Sequence, residues 1–120
     1  MSAVPITVLI VDDHPSFRAT ARALLEAEGF EVVGEAADGA EALVRARELR
    51  PDLVLLDVQL PDIDGFAVAR GLGANGGSPA VVLVSSRDAA DYGGLIAASG
   101  ARGFVPKAEL SGAALRALIC

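Results

Sequence analysis

Short, almost wholly apolar segments constrain the fold of this chain more than any other feature. The clearest is 53–56, Leu-Val-Leu-Leu, which lies between Pro51 and Pro61 and is followed directly by Asp57. A run this short, bounded by turn-forming residues, is typical of a strand buried on both faces of a parallel sheet. By the same reasoning, strands are predicted at 6–11, 31–36, 53–56, 80–84 and 103–105.

The segments between these strands carry apolar residues at helical spacing. Helices are predicted at 15–28, from Asp38-Gly39 to Pro51, at about 65–72, at 88–98 and at 110–119. Gly93 and Gly94 fall in the fourth helix, which is therefore expected to be short, frayed or bent. A loop rich in turn residues, 73–79, precedes the fourth strand. Five strands alternating with five helices predict an α/β fold, a doubly wound parallel sheet with right-handed crossovers.

Composition narrows the class of protein. A chain of 120 residues, with 52% hydrophobic residues, predicts one domain, 1–120, with its own core. The net charge of −6 argues against a nucleic-acid surface on this domain. The single cysteine, Cys120, cannot form an internal disulfide and fits a reducing, cytoplasmic location. The run 6–11 is too short to span a bilayer, and no signal peptide or membrane partner is expected.

Polar side chains stand where the predicted strands end. They are Asp12 and Asp13 after strand 1, Asp57 after strand 3, Ser85 and Ser86 after strand 4, and Lys107 after strand 5. In a parallel sheet these ends meet at one edge, where ligands bind. Carboxylates crowded there repel each other unless a cation lies among them, and oxygen ligands suit Mg²⁺. An ammonium and a hydroxyl facing them indicate a site that accepts a phosphoryl group.

Four motifs carry a family resemblance over the whole chain. They are Val-Asp-Asp-His-Pro at 11–15, Leu-Leu-Asp-Val-Gln-Leu-Pro at 55–61 with Asp64-Gly65, Val84-Ser85, and Gly-Phe-Val-Pro-Lys at 103–107. With these motifs the chain resembles the receiver domain of bacterial two-component response regulators. Segments 12–15 and 33–39 resemble its LuxR/NarL-type branch. The resemblance implies a flavodoxin-like (βα)5 fold with strand order 2-1-3-4-5.

The resemblance also implies roles for individual residues. Asp57 resembles the phosphoacceptor, and Lys107 the lysine that pairs first with Asp57 and then with a phosphoryl oxygen. Asp13, Asp57 and the backbone carbonyl of Gln59 resemble direct Mg²⁺ ligands, and Asp12 resembles an acid that helps to bind the ion directly or through water. Ser85 resembles the hydroxyl that follows the phosphoryl group, Phe104 the aromatic switch residue, and Gln59 and Arg87 the residues that tune the lifetime of the phosphorylated form.

The implied mechanism is phosphoryl transfer from a phosphohistidine on a sensor histidine kinase to Asp57, with Mg²⁺ bridging donor and acceptor. Such a domain phosphorylates and dephosphorylates itself once per cycle and is not a multi-turnover enzyme. The new charge is expected to change a surface around the fourth helix and fifth strand. The resemblance allows a homodimer, and contact with DNA only through a C-terminal helix-turn-helix domain, if one exists.

Some residues depart from the family pattern or leave alternatives open. Pro106 precedes Lys107 and Ala108 follows it, which predicts a trans Lys107-Ala108 peptide. Asp12-Asp13 could simply start a helix, and His14 and Tyr92 are expected to serve the surface or local packing. The alternative functions are a Mg²⁺-dependent phosphohydrolase with an aspartyl-phosphate intermediate, a flavodoxin-like nucleotide binder, and a receiver-like scaffold that is never phosphorylated.

Overall fold

A parallel sheet forms the centre of the molecule. The computed structural model describes residues 4–73 and 79–119. Within these residues, five strands pair in parallel in the order β2-β1-β3-β4-β5. The strands are β1 (Thr7–Val11), β2 (Glu31–Ala36), β3 (Leu53–Asp57), β4 (Ala80–Ser85) and β5 (Gly103–Pro106). The predicted fold class and strand order are confirmed, and the order reverses between β1 and β3.

Helices cover both faces of the sheet. They are α1 (Pro15–Ala27), α2 (Gly39–Leu49), α3 (Gly65–Gly73), α4 (Leu95–Ala98) and α5 (Gly112–Ile119), with 3₁₀ turns at Ala89–Asp91 and Lys107–Glu109. Buried residues of α1 and α5 pack on one face, and those of α2 and α3 on the other, where α4 also packs. None of the helices in the described ranges is long and apolar enough to cross a membrane.

The strand side chains divide between two apolar clusters because successive residues of a strand point to opposite faces. The cluster under α2, α3 and α4 contains Leu9, Val11, Val54, Leu56 and Leu83 from the sheet. The cluster under α1 and α5 contains Val8, Ile10, Leu53, Leu55, Val82 and Val84. Nearly all of these side chains are completely buried, so the three inner strands are apolar on both faces, as the sequence predicts.

The helix ends follow from local chemistry. Pro15 opens α1, where its missing N–H is not needed. The side chain of Asp38 caps α2 by accepting a hydrogen bond of 2.7 Å from the N–H of Glu41. Arg50 ends α2 in the left-handed region, at φ 47°, one residue before Pro51.

Two predicted helices differ in their bounds from the observed ones. Segment 88–98 forms the 3₁₀ turn Ala89–Asp91 and the four-residue α4, separated by Gly93 at φ 56° and Gly94. This confirms that the fourth helix is short and interrupted. The last helix begins at Gly112 rather than 110, because residue 110 is extended and the Ser111 hydroxyl accepts a hydrogen bond from the N–H of Ala114. The predicted loop falls largely on 74–78, which, like Cys120, lies outside the described residues.

Candidate functional site

Two buried acids lie at the carboxyl edge of the sheet, beside the reversal of strand order. Asp57 is the last residue of β3, and Asp12 directly follows β1. Asp12 is completely buried and Asp57 is 3% exposed. The backbone N–H of Asp12 donates to the carbonyl of Ala36 at the end of β2, which fixes the start of the β1–α1 loop. This is the crevice in which doubly wound sheets bind ligands.

Lys107, which follows β5, reaches across to both acids. Its Nζ lies 2.6 Å from Asp12 Oδ2 and 3.4 Å from Asp57 Oδ2. The ammonium also lies 4.5 Å from the centre of the Phe17 ring on α1, a cation–π contact that holds the lysine over the crevice. The sequence therefore placed Asp12, Asp57 and Lys107 together correctly, but it gave no sign of the contact with Phe17.

The β1–α1 loop brings two further side chains to the crevice. Asp12 Oδ1 accepts a hydrogen bond of 2.8 Å from the backbone N–H of His14. The His14 ring is exposed, with Nδ1 lying 2.9 Å from Asp12 Oδ1 and 3.1 Å from Asp13 Oδ1. Asp13 is partly exposed at the rim. His14 is thus a surface residue, as expected, but it touches both acids.

Burial and charge shift the pKa values of the two buried acids in opposite directions. Burial, and next the negative charge of Asp12, raises the pKa of Asp57 to about 6, although Lys107 and the Gln59 N–H oppose the shift. Burial also acts to raise the pKa of Asp12, but the contacts with Lys107 and His14 outweigh it and leave that pKa lowered. Asp12 therefore keeps its negative charge, while Asp57 is the acid that gains a proton more easily.

The donor set of the crevice suits a hard divalent cation. One ligand atom from each of Asp12, Asp13, Asp57 and His14 can be chosen so that all lie within 4.8 Å of one another. Asp12 Oδ2 is buried, and within the described residues its 2.6 Å contact with the Lys107 ammonium is an ion pair without hydrogen-bond geometry. Closely spaced carboxylate oxygens fit Mg²⁺ better than an imidazole nitrogen does. The Gln59 N–H donates to Asp57 Oδ1 at 3.2 Å, while a role for its carbonyl stays a prediction.

The loop between β3 and α3 is closed directly behind Asp57. The N–H of Gly65 donates to the carbonyl of Val58 at 2.7 Å. A side chain at Gly65 would meet the Asp57 carbonyl and lie 2.7 Å from the Val58 Cα, so this close approach requires glycine. Asp62 accepts hydrogen bonds from the N–H groups at the start of α2, which lower its pKa, and Asp64 accepts one from Ala67 in α3. These acids fix the loop against the starts of α2 and α3.

Ser85 ends β4 and is 1% exposed, whereas Ser86 and Arg87 are exposed. Its hydroxyl accepts a hydrogen bond of 3.1 Å from the N–H of Arg87 and shares one of 2.7 Å with the Tyr92 hydroxyl. Phe104 on β5 is half-buried, with its ring centre 5.8 Å from that of Tyr92. The sequence assigned Tyr92 only local packing and missed its contact with Ser85, for which no motif exists.

The fold and the crevice together define a class of protein: a doubly wound domain with an acidic, lysine-bridged site at the switch point of its sheet. Residues 8–119 match the family model of the response regulator receiver domain, and the chain belongs to that family. The predicted family is confirmed, and the phosphohydrolase and scaffold alternatives are not favoured.

Curated relatives of the chain are bacterial transcription regulators. A relative from Pseudomonas aeruginosa is 44% identical over 102 residues, which is 85% of this chain and 49% of the relative. The DNA-binding transcriptional activator EvgA of Escherichia coli (strain K12) is 36% identical over 104 residues, which is 87% of this chain and 51% of EvgA. The chain spans about half the length of these curated relatives.

A solved structure agrees in both fold and branch. The signal receiver domain of NarL from Mycobacterium tuberculosis superposes with a TM-score of 0.83 and 35% identity. The match covers 97% of this chain and 98% of that one.

Proposed function

We propose that Asp57 accepts a phosphoryl group from a phosphohistidine on a sensor histidine kinase. The observation that carries the proposal is the buried Asp57 carboxylate, which lies 3.4 Å from the Lys107 ammonium at the carboxyl edge of the sheet. A carboxylate oxygen attacks phosphorus, the P–N bond to the kinase imidazole breaks, and the imidazole keeps the electron pair and takes a proton. Lys107 stabilises the charge that develops on the phosphoryl oxygens.

The other residues of the site assist this transfer. Asp12, Asp13, Asp57 and the Gln59 carbonyl would hold Mg²⁺. Bound there, the ion supplies positive charge that offsets the carboxylates and the phosphoryl oxygens. Ser85 donates a hydrogen bond to the phosphoryl group once it is attached, and Phe104 follows the movement of Ser85. Asp13, at the exposed rim, is the acid that an incoming ligand can reach first.

The chain acts as a switch that carries one phosphoryl group at a time. Water cleaves the acyl phosphate later, at a rate tuned by Gln59 and Arg87, whose side chains lie exposed at the rim. Attachment of the phosphoryl group changes the surface formed by α4 and β5. We expect residues 1–120 to act as one receiver domain in the cytoplasm. Its expected partner is a sensor histidine kinase, and the phosphorylated form can also act as a homodimer.

Regulation of transcription is the output that the relatives favour. EvgA is named as a DNA-binding transcriptional activator, and the part of it that matches this chain is about half of its length. The acidic charge of this chain, −6, does not suit contact with DNA by the domain itself. We therefore expect contact with DNA only through a further domain, with this one controlling it.

Intact mass measurement after incubation with acetyl phosphate and Mg²⁺ tests the proposal. The wild-type chain should gain one phosphoryl group, and Asp57→Asn should gain none. Asp64→Asn is the matched control, since Asn also caps helices and residue 64 lies outside the crevice. It should be phosphorylated like the wild type. A wild-type chain that stays unmodified, or an Asp57→Asn chain that is modified equally, would overturn the proposal.

A further inference from the structure

The Tyr92 hydroxyl forms a hydrogen bond with the Ser85 hydroxyl, and we propose that this contact competes with the phosphoryl group on Asp57 for Ser85 and holds the serine away from the crevice. Tyr92 is then a positioning residue, which sets how tightly the domain holds its phosphoryl group. This inference rests on the proposed function, because the competitor exists only if Asp57 is phosphorylated. The observation that carries it is the 2.7 Å hydrogen bond between Ser85 Oγ and Tyr92 Oη.

The two candidate partners of Ser85, the Tyr92 hydroxyl and a phosphoryl group on Asp57, lie on different sides of the sheet. Residues 83 and 85 of β4 point to the same face because strand side chains alternate. Leu83 and the Tyr92 ring both pack in the cluster under α2, α3 and α4. Lys107 instead lies over Phe17, which packs against the cluster under α1 and α5. The Ser85 hydroxyl must therefore turn from the Tyr92 side towards the carboxyl edge to reach a group on Asp57.

The turn of the Ser85 hydroxyl, and not its hydrogen-bonding capacity alone, makes the two contacts exclusive. The hydroxyl has one proton and can accept two hydrogen bonds. The N–H of Arg87 already donates to Ser85 Oγ, and the Tyr92 hydroxyl is its other described partner. A phosphoryl oxygen accepts only, so Ser85 must direct its single proton there. A turn towards the phosphoryl oxygen ends the 2.7 Å contact with Tyr92.

The position of Tyr92 allows its hydroxyl to be removed without loss of its ring. The ring packs edge-to-face on Phe66, with centres 5.5 Å apart, and against Phe104, with centres 5.8 Å apart. Tyr92→Phe keeps these aromatic contacts and deletes only the partner of Ser85. Gly93 and Gly94 follow directly, and a Cβ at either would meet no heavy atom of the described residues within 4 Å. The Cβ positions of the two residues after Tyr92 therefore face open space.

The first test measures binding of beryllofluoride, a phosphoryl mimic, in the presence of Mg²⁺ by calorimetry. Tyr92→Phe should bind beryllofluoride about two- to tenfold more tightly than the wild type, because one competing hydrogen bond is lost. In the Ser85→Ala background the same substitution should change the affinity little, because the competition acts through Ser85. A gain in Tyr92→Leu without a gain in Tyr92→Phe would assign the effect to ring packing and overturn the inference.

The second test uses the spectrum of Tyr92 itself. The chain has one tyrosine and no tryptophan, so its near-ultraviolet tyrosine absorbance and fluorescence report this residue alone. Beryllofluoride should change the tyrosine spectrum of the wild type as the hydroxyl loses Ser85. The Ser85→Ala chain, which lacks this partner, should show a much smaller change.

The two proposals fail in different ways. A wild-type chain that neither gains a phosphoryl group nor binds beryllofluoride contradicts the proposed function. A wild-type chain that does both, while Tyr92→Phe binds equally or more weakly, contradicts only the competition. An unchanged tyrosine spectrum at saturating beryllofluoride contradicts the competition as well.

Discussion

At the scale of single residues, the crevice sets two buried carboxylates against one ammonium. Asp12 and Asp57 both contact Lys107, at 2.6 Å and 3.4 Å. Burial and mutual repulsion make it costly to ionise both acids, and the pKa values separate as a result. Asp57, with its pKa raised to about 6, carries most of this cost. The carboxylate that we propose as the phosphoacceptor is thus the one that the fold stabilises least in its charged form.

The raised pKa of Asp57 predicts that the stability of the protein depends on pH when divalent cations are absent. The pKa of Asp57 is about 6 in the folded chain, against 3.8 for an unperturbed aspartate. The contribution of Asp57 to the free energy of unfolding is therefore complete below pH 3.8 and is lost as the pH rises through about 6. The free energy of unfolding, measured with urea in the presence of a chelator, should fall by up to about 3 kcal/mol between these limits.

Asp57→Asn is the control for this prediction, because the amide stays neutral throughout. Its free energy of unfolding should depend less on pH over the same window than that of the wild type. The lowered pKa of Asp12 keeps that residue ionised in the upper part of the window in both chains. Parallel pH profiles for the two chains would show that the protonation of Asp57 is not linked to folding.

At the scale of single elements, the ends of helices and strands are held by charged side chains. Edge strand β2 is tied to α1 by Glu35, which contacts Arg18 at 2.9 Å and Arg22 at 2.8 Å. Burial acts to raise the pKa of Glu35, but the two arginines outweigh it and leave it lowered. Helix α2 instead ends in a strained conformation, with Arg50 at φ 47°.

Replacing Arg50 with glycine should stabilise the domain. A left-handed conformation costs a residue with a Cβ about 1–2 kcal/mol, and glycine adopts it freely. After allowance for the greater freedom of glycine in the unfolded chain, the gain should be about 0.5–1 kcal/mol in urea unfolding. Arg47→Gly, inside the last turn of α2, is the matched control and should cost about 1 kcal/mol. Equal losses in both variants would contradict this account of the helix end.

At the scale of the whole molecule, the crevice exists only in the folded chain. Asp12, Asp57 and Lys107 are separated by 45 and 50 residues, and three different strands bring their side chains together. The order reversal between β1 and β3 leaves an opening at the carboxyl edge, where no crossover covers the strand ends. A cation that binds there binds the native state and not the unfolded chain.

Mg²⁺ should therefore stabilise the whole fold by linkage. At a free concentration a hundredfold above its dissociation constant, it should add about 2.7 kcal/mol to the free energy of unfolding. Asp12→Asn should lose most of this increment because it removes a buried ligand. Asp62→Asn, an exposed loop substitution outside the crevice, should keep it. Equal stabilisation of the Asp12→Asn chain would place the ion elsewhere.

The sequence alone was enough to predict the fold and which charged side chains gather at the carboxyl edge of the sheet. Apolar runs such as 53–56 identify strands buried on both faces, and the number of alternating elements identifies the doubly wound sheet. Asp12, Asp57 and Lys107 each follow such a run, so their gathering at one edge follows from parallel pairing. The interrupted fourth helix was also predictable, because Gly93 and Gly94 are visible in the sequence.

Only the tertiary structure decided how the side chains meet. Phe17 has ordinary helical spacing, and its place beneath Lys107 depends on how α1 crosses β1 and β5. Tyr92 reaches Ser85 through a turn and an interrupted helix whose path no local pattern specifies. Periodicity along a chain determines which face of an element is buried. The distances between side chains on different elements depend on packing over the whole core, which no short segment contains.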